Sequence, residues 1–179
     1  MSEITIHEKT FVPYISEEQL SDRVAALGKQ LSKDYEGKNP LFVGVLNGSF
    51  MFMSDLMKAV SIPCEVTFVK MSSYSGMEST GAVKQLIGLQ DNVFGRNIII
   101  VEDIVDSGLT MEQILAYFDD RGPKSVEIAT LLLKPEKLEK KLSILYTGFE
   151  IPEKFVVGYG LDFDGQGRNL KDIYQLRED

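Results

Sequence analysis

Apolar residues in the N-terminal part of the chain recur at helical spacing, and further along they form short, unbroken runs. Leu20, Val24 and Leu27 lie three or four positions apart, which places their side chains on one face of a helix. The stretch SEEQ at 16–19 has the serine and the glutamine of a capping box. Together these patterns predict an amphipathic helix over residues 16–33.

The unbroken apolar runs are typical of buried strands. The predicted strands are 41–46, 64–70, 97–103, 125–134 and 153–160, and the segments 50–60 and 110–120 are predicted to be helices. The Ser- and Gly-rich stretch from Met71 to Gly81 has no periodicity, so we expect it to be a mobile loop.

The alternation of strands and helices predicts an α/β fold in which helices flank a mostly parallel, twisted sheet. Ligands of such sheets bind beyond the carboxyl ends of the strands. The polar clusters at those ends are residues 47–49, 102–110, 134 and 162, so we expect one site built from four segments. We expect a single domain over residues 1–179, with a core of about 16–150 and a small hood made of the N-terminal arm and residues 151–179.

Composition and charge narrow the class of protein. The 179 residues suit one domain of ordinary size, and 44% hydrophobic with 26% charged residues is typical of a soluble globular protein. The net charge of −8 argues against a general surface for nucleic acid. The chain has a lone cysteine, Cys64, and lacks both a signal-peptide pattern and an apolar run of membrane-spanning length. These features predict a cytoplasmic protein with no membrane partner.

The stretch VEDIVDSGLT at 101–110 joins a buried strand to a helix and combines acids with a turn of small residues. Backbone N–H groups of such a turn can hold a phosphate group without a lysine, aided by the helix dipole. The carboxylates of Glu102 and Asp103 are acceptors for sugar hydroxyls and hard ligands for Mg²⁺. A sugar phosphate would use both features. Two plainer interpretations stay open: the acids form a solvated strand end, or Asp106 caps the helix.

The same stretch resembles the ribose-phosphate signature of the type I phosphoribosyltransferases. The stretches at 45–52, 72–81 and 154–170 narrow the resemblance to the branch that acts on 6-oxopurines. It covers residues 8–177 and implies the fold of that family, with a small hood. It also implies transfer of the 5-phosphoribosyl group from phosphoribosyl pyrophosphate to hypoxanthine or guanine, with Mg²⁺ as cofactor and pyrophosphate as the second product.

The resemblance implies a role for each residue that matches a family motif. Asp106 would be the general base or acid at the five-membered ring of the purine, and Lys134 would donate to the 6-oxo group. The implied sets are Glu102 and Asp103 for the ribose hydroxyls; Glu102, Asp103 and Asp162 for Mg²⁺; Asp106, Ser107, Gly108, Leu109 and Thr110 for the 5′-phosphate; Lys134, Phe155, Val156 and Asp162 for the purine; Leu46, Asn47, Gly48 and Arg168 for pyrophosphate; and Ser73 and Tyr74 in the flexible loop.

The chain departs from many relatives at two of these positions. Asn47 and Leu109 stand where those relatives carry lysine, so backbone contacts to phosphate are implied there but a lysine charge is absent. The resemblance also implies a peptide bond before Asn47 that can be cis. A homodimer or a homotetramer is implied as the assembly.

Three alternatives stay open at this point. A nucleotide-sensing protein of the same fold that binds nucleic acid would need a basic face, which the acidic balance does not favour. A phosphorelay receiver domain also joins strand-end acids to a Lys-Pro pair, as in Lys134–Pro135, but it leaves the last part of this chain unused. A phosphoribosyltransferase that prefers xanthine would differ by small shifts near Lys134 and Asp162.

Overall fold

The computed structural model describes residues 2–74, 83–89 and 92–178 of the chain. In chain order the described elements are β1 (Ile4–Ile6), β2 (Lys9–Ile15), α1 (Glu17–Asp34), β3 (Leu41–Leu46), α2 (Phe50–Ala59), β4 (Glu65–Tyr74), β5 (Val83–Ile87), β6 (Asn97–Val105), α3 (Leu109–Asp119), β7 (Ser125–Leu133), a 3-10 helix (Pro135–Lys137), β8 (Tyr146–Glu150), β9 (Val156–Val157) and β10 (Ile173–Leu176). These strands form two sheets.

The larger sheet has the strand order β5-β4-β3-β6-β7-β8. Neighbouring strands run parallel in β4-β3-β6-β7-β8, and the edge strand β5 pairs antiparallel with β4. The run from Ile98 to Val101 in the central strand β6 is fully buried, because α1 and α2 cover one face of the sheet and α3 covers the other. The predicted α/β fold with a parallel sheet is confirmed.

The first predicted helix is also confirmed. The Oγ of Ser16 accepts a hydrogen bond from the N–H of Gln19 at 3.2 Å, and Oε1 of Gln19 accepts one from the N–H of Ser16 at 2.9 Å. These bonds satisfy N–H groups that the start of a helix leaves unpaired. Leu20, Val24 and Leu27 are buried in the core. No helix in the described part of the chain is long and apolar enough to span a membrane.

The predicted loop from Met71 is wrong at its start, because β4 continues to Tyr74. The backbone there pairs with β5, and Ser73 lies opposite Lys84. These interstrand hydrogen bonds outweigh the low strand preference of a Ser-rich sequence. Residues 75–81 of the predicted loop lie outside the described residues.

The smaller sheet is antiparallel and has the order β1-β2-β10-β9. We call this sheet, together with the segments on either side of β9, the hood. It joins the N-terminal arm to the tail around the buried side chains of Phe11, Val157 and Tyr174. The predicted strand 153–160 is too long, because β9 covers only Val156 and Val157 of this stretch. Gly158 has a φ of 102°, which turns the chain out of the extended conformation.

A hydrogen bond links the segment after β9 to α2. The hydroxyl of Tyr159 donates to Oδ2 of Asp55 at 2.6 Å, and Tyr159 is buried. Burial, followed by this hydrogen bond, raises the pKa of Tyr159 far above its ordinary value. The contact therefore holds the segment that enters the hood against the helix that follows β3.

We expect Tyr159→Phe to lower the free energy of unfolding by about 1 to 2 kcal/mol, because Asp55 loses its buried donor. Denaturation in urea, compared with the wild type, measures this difference. Tyr117→Phe is the matched control, since the Tyr117 ring contacts Arg121 and Phe118 and the substitution keeps that ring. An equal loss of stability in the two variants would show that the Tyr159–Asp55 hydrogen bond has no special role.

Candidate active site

The carboxyl ends of β3 and β6 meet the N-terminus of α3 and part of the hood in a cleft of about 400 Å³. The predicted site residues that line it are Leu46, Asn47, Gly48, Glu102, Asp103, Asp106, Ser107, Gly108, Thr110, Asp162 and Arg168. The structure thus brings three of the four predicted polar clusters together. The fourth, Lys134, joins them through Asp106.

A tight turn over residues 106–110 connects β6 to α3. Gly108 is the N-cap of α3 and has a φ of 82°, so Asp106 is not the cap. A Cβ at Gly108 would also lie 2.9 Å from Cδ1 of Leu142. The first N–H groups of α3 have no acceptor within the helix, and the helix dipole adds partial positive charge. The turn is therefore suited to a phosphate group, and the exposed side chain of Leu109 is not needed for it.

The side chains of Glu102 and Asp103 follow one another on β6, and both line the cleft. Glu102 is only 7% exposed, and its Oε2 has no hydrogen-bond partner among the residues the structure describes. Burial, followed by the neighbouring charge of Asp103, raises the pKa of Glu102 well above its ordinary value. A buried acceptor without a donor is unfavourable, so a hydroxyl group or a cation placed here would be stabilised.

The loop after β3 packs directly against Asp103. A Cβ on Gly48 would lie 1.5 Å from Oδ2 of Asp103, and a Cβ on Gly160 would lie 2.0 Å from the carbonyl oxygen of Gly48. Gly48 therefore lets the loop after β3 approach Asp103, and Gly160 lets the hood approach that loop. The Leu46–Asn47 peptide bond is cis, as the resemblance implies.

Two lysines hold one oxygen of Asp106. Oδ2 accepts hydrogen bonds from Nζ of Lys134 and Nζ of Lys137, each at 3.2 Å. Lys134 follows β7 and is buried, whereas Lys137 ends the 3-10 helix and its side chain is 40% exposed. The other oxygen, Oδ1, is buried and has no hydrogen-bond partner within the described residues. Asp106 is thus anchored through Oδ2, and its Oδ1 is a buried acceptor that lacks a donor in the described part of the chain.

Asp162 and Arg168 form an ion pair on the hood side of the cleft. Nη2 of Arg168 lies 2.6 Å from Oδ1 of Asp162, and Nη1 donates to the carbonyl oxygen of Gly160 at 2.6 Å. The N–H of Gly165 donates to Oδ2 of Asp162 at 2.8 Å. An arriving oxyanion or cation would replace part of this network.

The acids do not form a closed metal cage. Within residues 2–74, 83–89 and 92–178, no group of three or more His, Cys, Asp or Glu side chains is placed to hold a metal ion. Mg²⁺, however, usually keeps several waters and binds through one or two carboxylates together with substrate phosphates. The unpartnered Oε2 of Glu102 beside Asp103 fits such a partial ligand set.

Some predicted residues lie apart from the cleft lining. Phe155 is 47% exposed, and its ring packs edge-on against Phe163 with 5.7 Å between the centroids. Val156 is buried and pairs with Gln175 in the hood. Both purine-binding candidates thus belong to the hood. The side chains of Ser73 and Tyr74 lie outside the described part of the structure.

The sequence-based prediction does not name Met71, Met111 or Lys137 as site residues. Met71 and Met111 line the cleft, and Lys137 binds Asp106. A signal for Lys137 exists in the sequence. Pro135 begins a short 3-10 helix, in which side chains three positions apart lie on the same side, so Lys137 returns to the side of Lys134.

The chain is similar to known proteins over most of its length. Residues 16–164 match the family model of the phosphoribosyl transferase domain. The chain is 38% identical to the hypoxanthine-guanine phosphoribosyltransferase of Dictyostelium discoideum, with 92% of this chain and 94% of that protein covered. It is 44% identical to the hypoxanthine phosphoribosyltransferase of Salmonella typhimurium, with 87% and 89% covered. The crystal structure of a hypoxanthine phosphoribosyltransferase from Staphylococcus aureus superposes with a TM-score of 0.85 at 41% identity, covering 92% of this chain and 90% of that one.

Proposed function

The chain belongs to the phosphoribosyl transferase domain family, and on this basis we propose that it transfers the 5-phosphoribosyl group from phosphoribosyl pyrophosphate to hypoxanthine or guanine. The products are IMP or GMP and pyrophosphate, so the reaction is a step of purine salvage. One observation carries the proposal: a turn of small residues at a helix N-terminus, an acid pair and a lysine-anchored Asp106 meet in one cleft.

The cleft would contact the 5′-phosphate, the ribose hydroxyls and the pyrophosphate of the substrate. The turn over residues 106–110 would hold the 5′-phosphate through backbone N–H groups, and the carboxylates of Glu102 and Asp103 would accept hydrogen bonds from the ribose hydroxyls. The loop at 46–48 and the guanidinium group of Arg168 would contact the pyrophosphate. Because the loop carries Asn47 and no lysine, its contacts would come from the backbone and an uncharged amide.

In the transfer, a lone pair of a purine ring nitrogen forms the new bond to C1 of the ribose. The bond from C1 to the pyrophosphate oxygen breaks, and its electron pair leaves with the pyrophosphate. Positive charge develops on the sugar ring during this exchange. The proton of the five-membered purine ring moves to Asp106 as general base. Its Oδ1 is a buried acceptor without a donor among the described residues, so a proton taken up there would relieve an unsatisfied polar group.

Recognition of the base would distinguish 6-oxo from 6-amino purines. The ammonium group of Lys134 would donate to the 6-oxo group, and adenine would instead place a second donor against it. Phe155 would stack on the purine face, and the backbone of Val156 would contact the edge of the base. Asp162 would be the fourth residue that contacts the purine. Phe155 and Val156 lie in the hood, so a bound purine would contact both the hood and the cleft.

Closure of the active site would involve the segment that contains Ser73 and Tyr74. A closed segment would exclude water, which otherwise hydrolyses the activated sugar. The protein would act in the cytoplasm as a homodimer or homotetramer. Its partners would be the two substrates, without nucleic acid or membrane.

The experiment that tests the function is product formation from phosphoribosyl pyrophosphate, Mg²⁺ and hypoxanthine, followed by chromatography of IMP. We expect IMP and pyrophosphate to appear in equal amounts and only when both substrates are present. A purified, folded protein that forms no nucleotide from hypoxanthine or guanine would overturn the proposal.

Mg²⁺ supplies charge neutralisation of the departing pyrophosphate when it is bound. Glu102 and Asp103 would hold one ion together with the ribose hydroxyls, and Asp162 would hold a second. We expect EDTA to abolish IMP formation and excess Mg²⁺ to restore it. Thermal unfolding of the free protein is the control, because the metal arrives with the substrate and EDTA should leave the melting temperature unchanged. Full turnover in EDTA would contradict the role of the metal.

A further inference from the structure

Asp106 has two cationic partners where one would suffice to fix it. Lys134 extends from the end of β7 and is buried, and Lys137 reaches the same Oδ2 from the 3-10 helix. Both ammonium groups lie 3.2 Å from that oxygen. In the proposed function Lys134 also has a second task, because it donates to the 6-oxo group of the base. A purine in the site would therefore share the ammonium group of Lys134 with Asp106.

We propose that Lys137 is a positioning residue of the transfer reaction, which keeps Oδ2 of Asp106 anchored while Lys134 donates to the purine. This inference rests on the proposed function. With Oδ2 held by Lys137, the carboxylate would keep its orientation during proton transfer from the base. Without Lys137, the carboxylate would share Lys134 with the purine or rotate. The effect should appear in the chemical step more than in the binding of either substrate.

The surroundings of Lys137 support this role. Its Nζ lies 3.2 Å from Asp106 and 3.3 Å from Oε1 of Glu153. The hydrogen bond to Asp106, followed by that to Glu153, raises the pKa of Lys137 from its ordinary value of 10.5. The ammonium form is therefore present throughout the neutral range, and the contact is lost only as the pH rises above that value. Glu153 is the more exposed of the two acids, at 69%, so its competition for Lys137 is screened by water.

The test is a single-turnover measurement of IMP formation, with enzyme in excess over hypoxanthine and with saturating phosphoribosyl pyrophosphate. Lys137→Met removes the charge and keeps most of the apolar stem, and Lys137→Arg restores a cation. Lys140→Met is the matched control, since Lys140 lies on the same segment, is 34% exposed and is paired with Glu112 at 2.9 Å instead of with Asp106. Melting temperatures show whether each variant is folded.

We expect Lys137→Met to slow the single-turnover step by about fivefold, as for loss of a half-exposed charged contact. KM for hypoxanthine and for phosphoribosyl pyrophosphate should change less than about twofold in that variant. Lys137→Arg should recover most of the rate, and Lys140→Met should match the wild type. An unchanged rate in Lys137→Met, a rise in both KM values at constant rate, or an equal loss in Lys140→Met would overturn the inference.

Failure of the inference and failure of the proposed function give different results. If the wild type forms no IMP or GMP, the proposed function is wrong. If the wild type turns over and Lys137→Met does so at the same rate, the function stands and only the role of Lys137 is wrong.

Discussion

Replacing Asp106 with Asn is expected to lower the rate of IMP formation by about 100- to 10,000-fold, the contribution that a general base usually makes. The amide has the shape of the carboxylate, and its oxygen can still accept hydrogen bonds from Lys134 and Lys137. It cannot take up the proton of the purine ring. The measurement is the single-turnover rate with hypoxanthine and saturating phosphoribosyl pyrophosphate.

Substrate binding should be affected much less than the rate in this variant. The turn at 106–110 would bind the 5′-phosphate through backbone N–H groups, which the substitution leaves in place. A loss in rate with little change in KM is therefore expected for a group that acts in the transition state.

The matched control for this variant is Asp119→Asn, which removes one exposed acid at the opposite end of α3. It should retain wild-type turnover. If Asp106→Asn keeps more than about a third of the wild-type rate while remaining folded, Asp106 does not move the proton, and the assignment of the general base is wrong.

The second large effect is expected for Gly48→Ala. The φ of Gly48 is not in the left-handed region, so the backbone itself would accept alanine. The new Cβ would instead fall 1.5 Å from Oδ2 of Asp103, which forces either the acid or the loop to move. Displacement of a positioning group by about 1 Å can cost on the order of 100-fold in rate, and we expect a loss of that size in kcat/KM for phosphoribosyl pyrophosphate.

A double-mutant cycle separates the steric cause from a general loss of structure. In the Asp103→Ala background the carboxylate is gone, so Gly48→Ala should cost only a small further factor. The quantity measured is kcat/KM for phosphoribosyl pyrophosphate in all four proteins, together with the melting temperature. Independent, multiplicative losses would show that Gly48 acts by some other route than contact with Asp103.

The sheet could be predicted from the sequence because its signals are local. The buried run from Ile98 to Val101 in β6 is entirely apolar, and the capping box at Ser16 fixes the start of α1. The carboxyl ends of parallel strands share one edge, so the loop at 47–49 and the acids of β6 were expected to meet. The cleft contains both.

The hood and its details depend on contacts between distant segments, which a local pattern does not show. The pattern predicts none of β1, β2 and β10, because these short strands are stabilised by pairing the N-terminal arm with the tail. The pattern also predicts neither β5 nor β8. These strands lie at the two edges of the larger sheet, where β5 pairs with β4 and β8 pairs with β7. Strand preference is decided by such neighbours more than by residue type.

In the candidate site, too, some residues could be predicted from local sequence and others depend on contacts between distant segments. Glu102, Asp103 and Asp106 follow from one continuous motif and Lys134 from the end of a predicted strand, whereas the role of Lys134 in purine binding comes from the family resemblance. The role of Gly48 as the space for the Asp103 carboxylate appears only when the two backbones are placed side by side. Lys137 was missed because a lysine in a polar segment ordinarily faces solvent, and only the turn that begins at Pro135 brings it back to Asp106.

The most direct test of the central claim is nucleotide formation from phosphoribosyl pyrophosphate and Mg²⁺ with hypoxanthine, guanine, xanthine and adenine in parallel. We predict turnover of hypoxanthine, guanine or both, and none of adenine, because Lys134 would face a second donor on adenine. Turnover in which xanthine is strongly preferred would keep the transfer chemistry but contradict the assigned base. No turnover of any purine by folded protein that still binds IMP or GMP would contradict the enzymatic function and favour a nucleotide-sensing role.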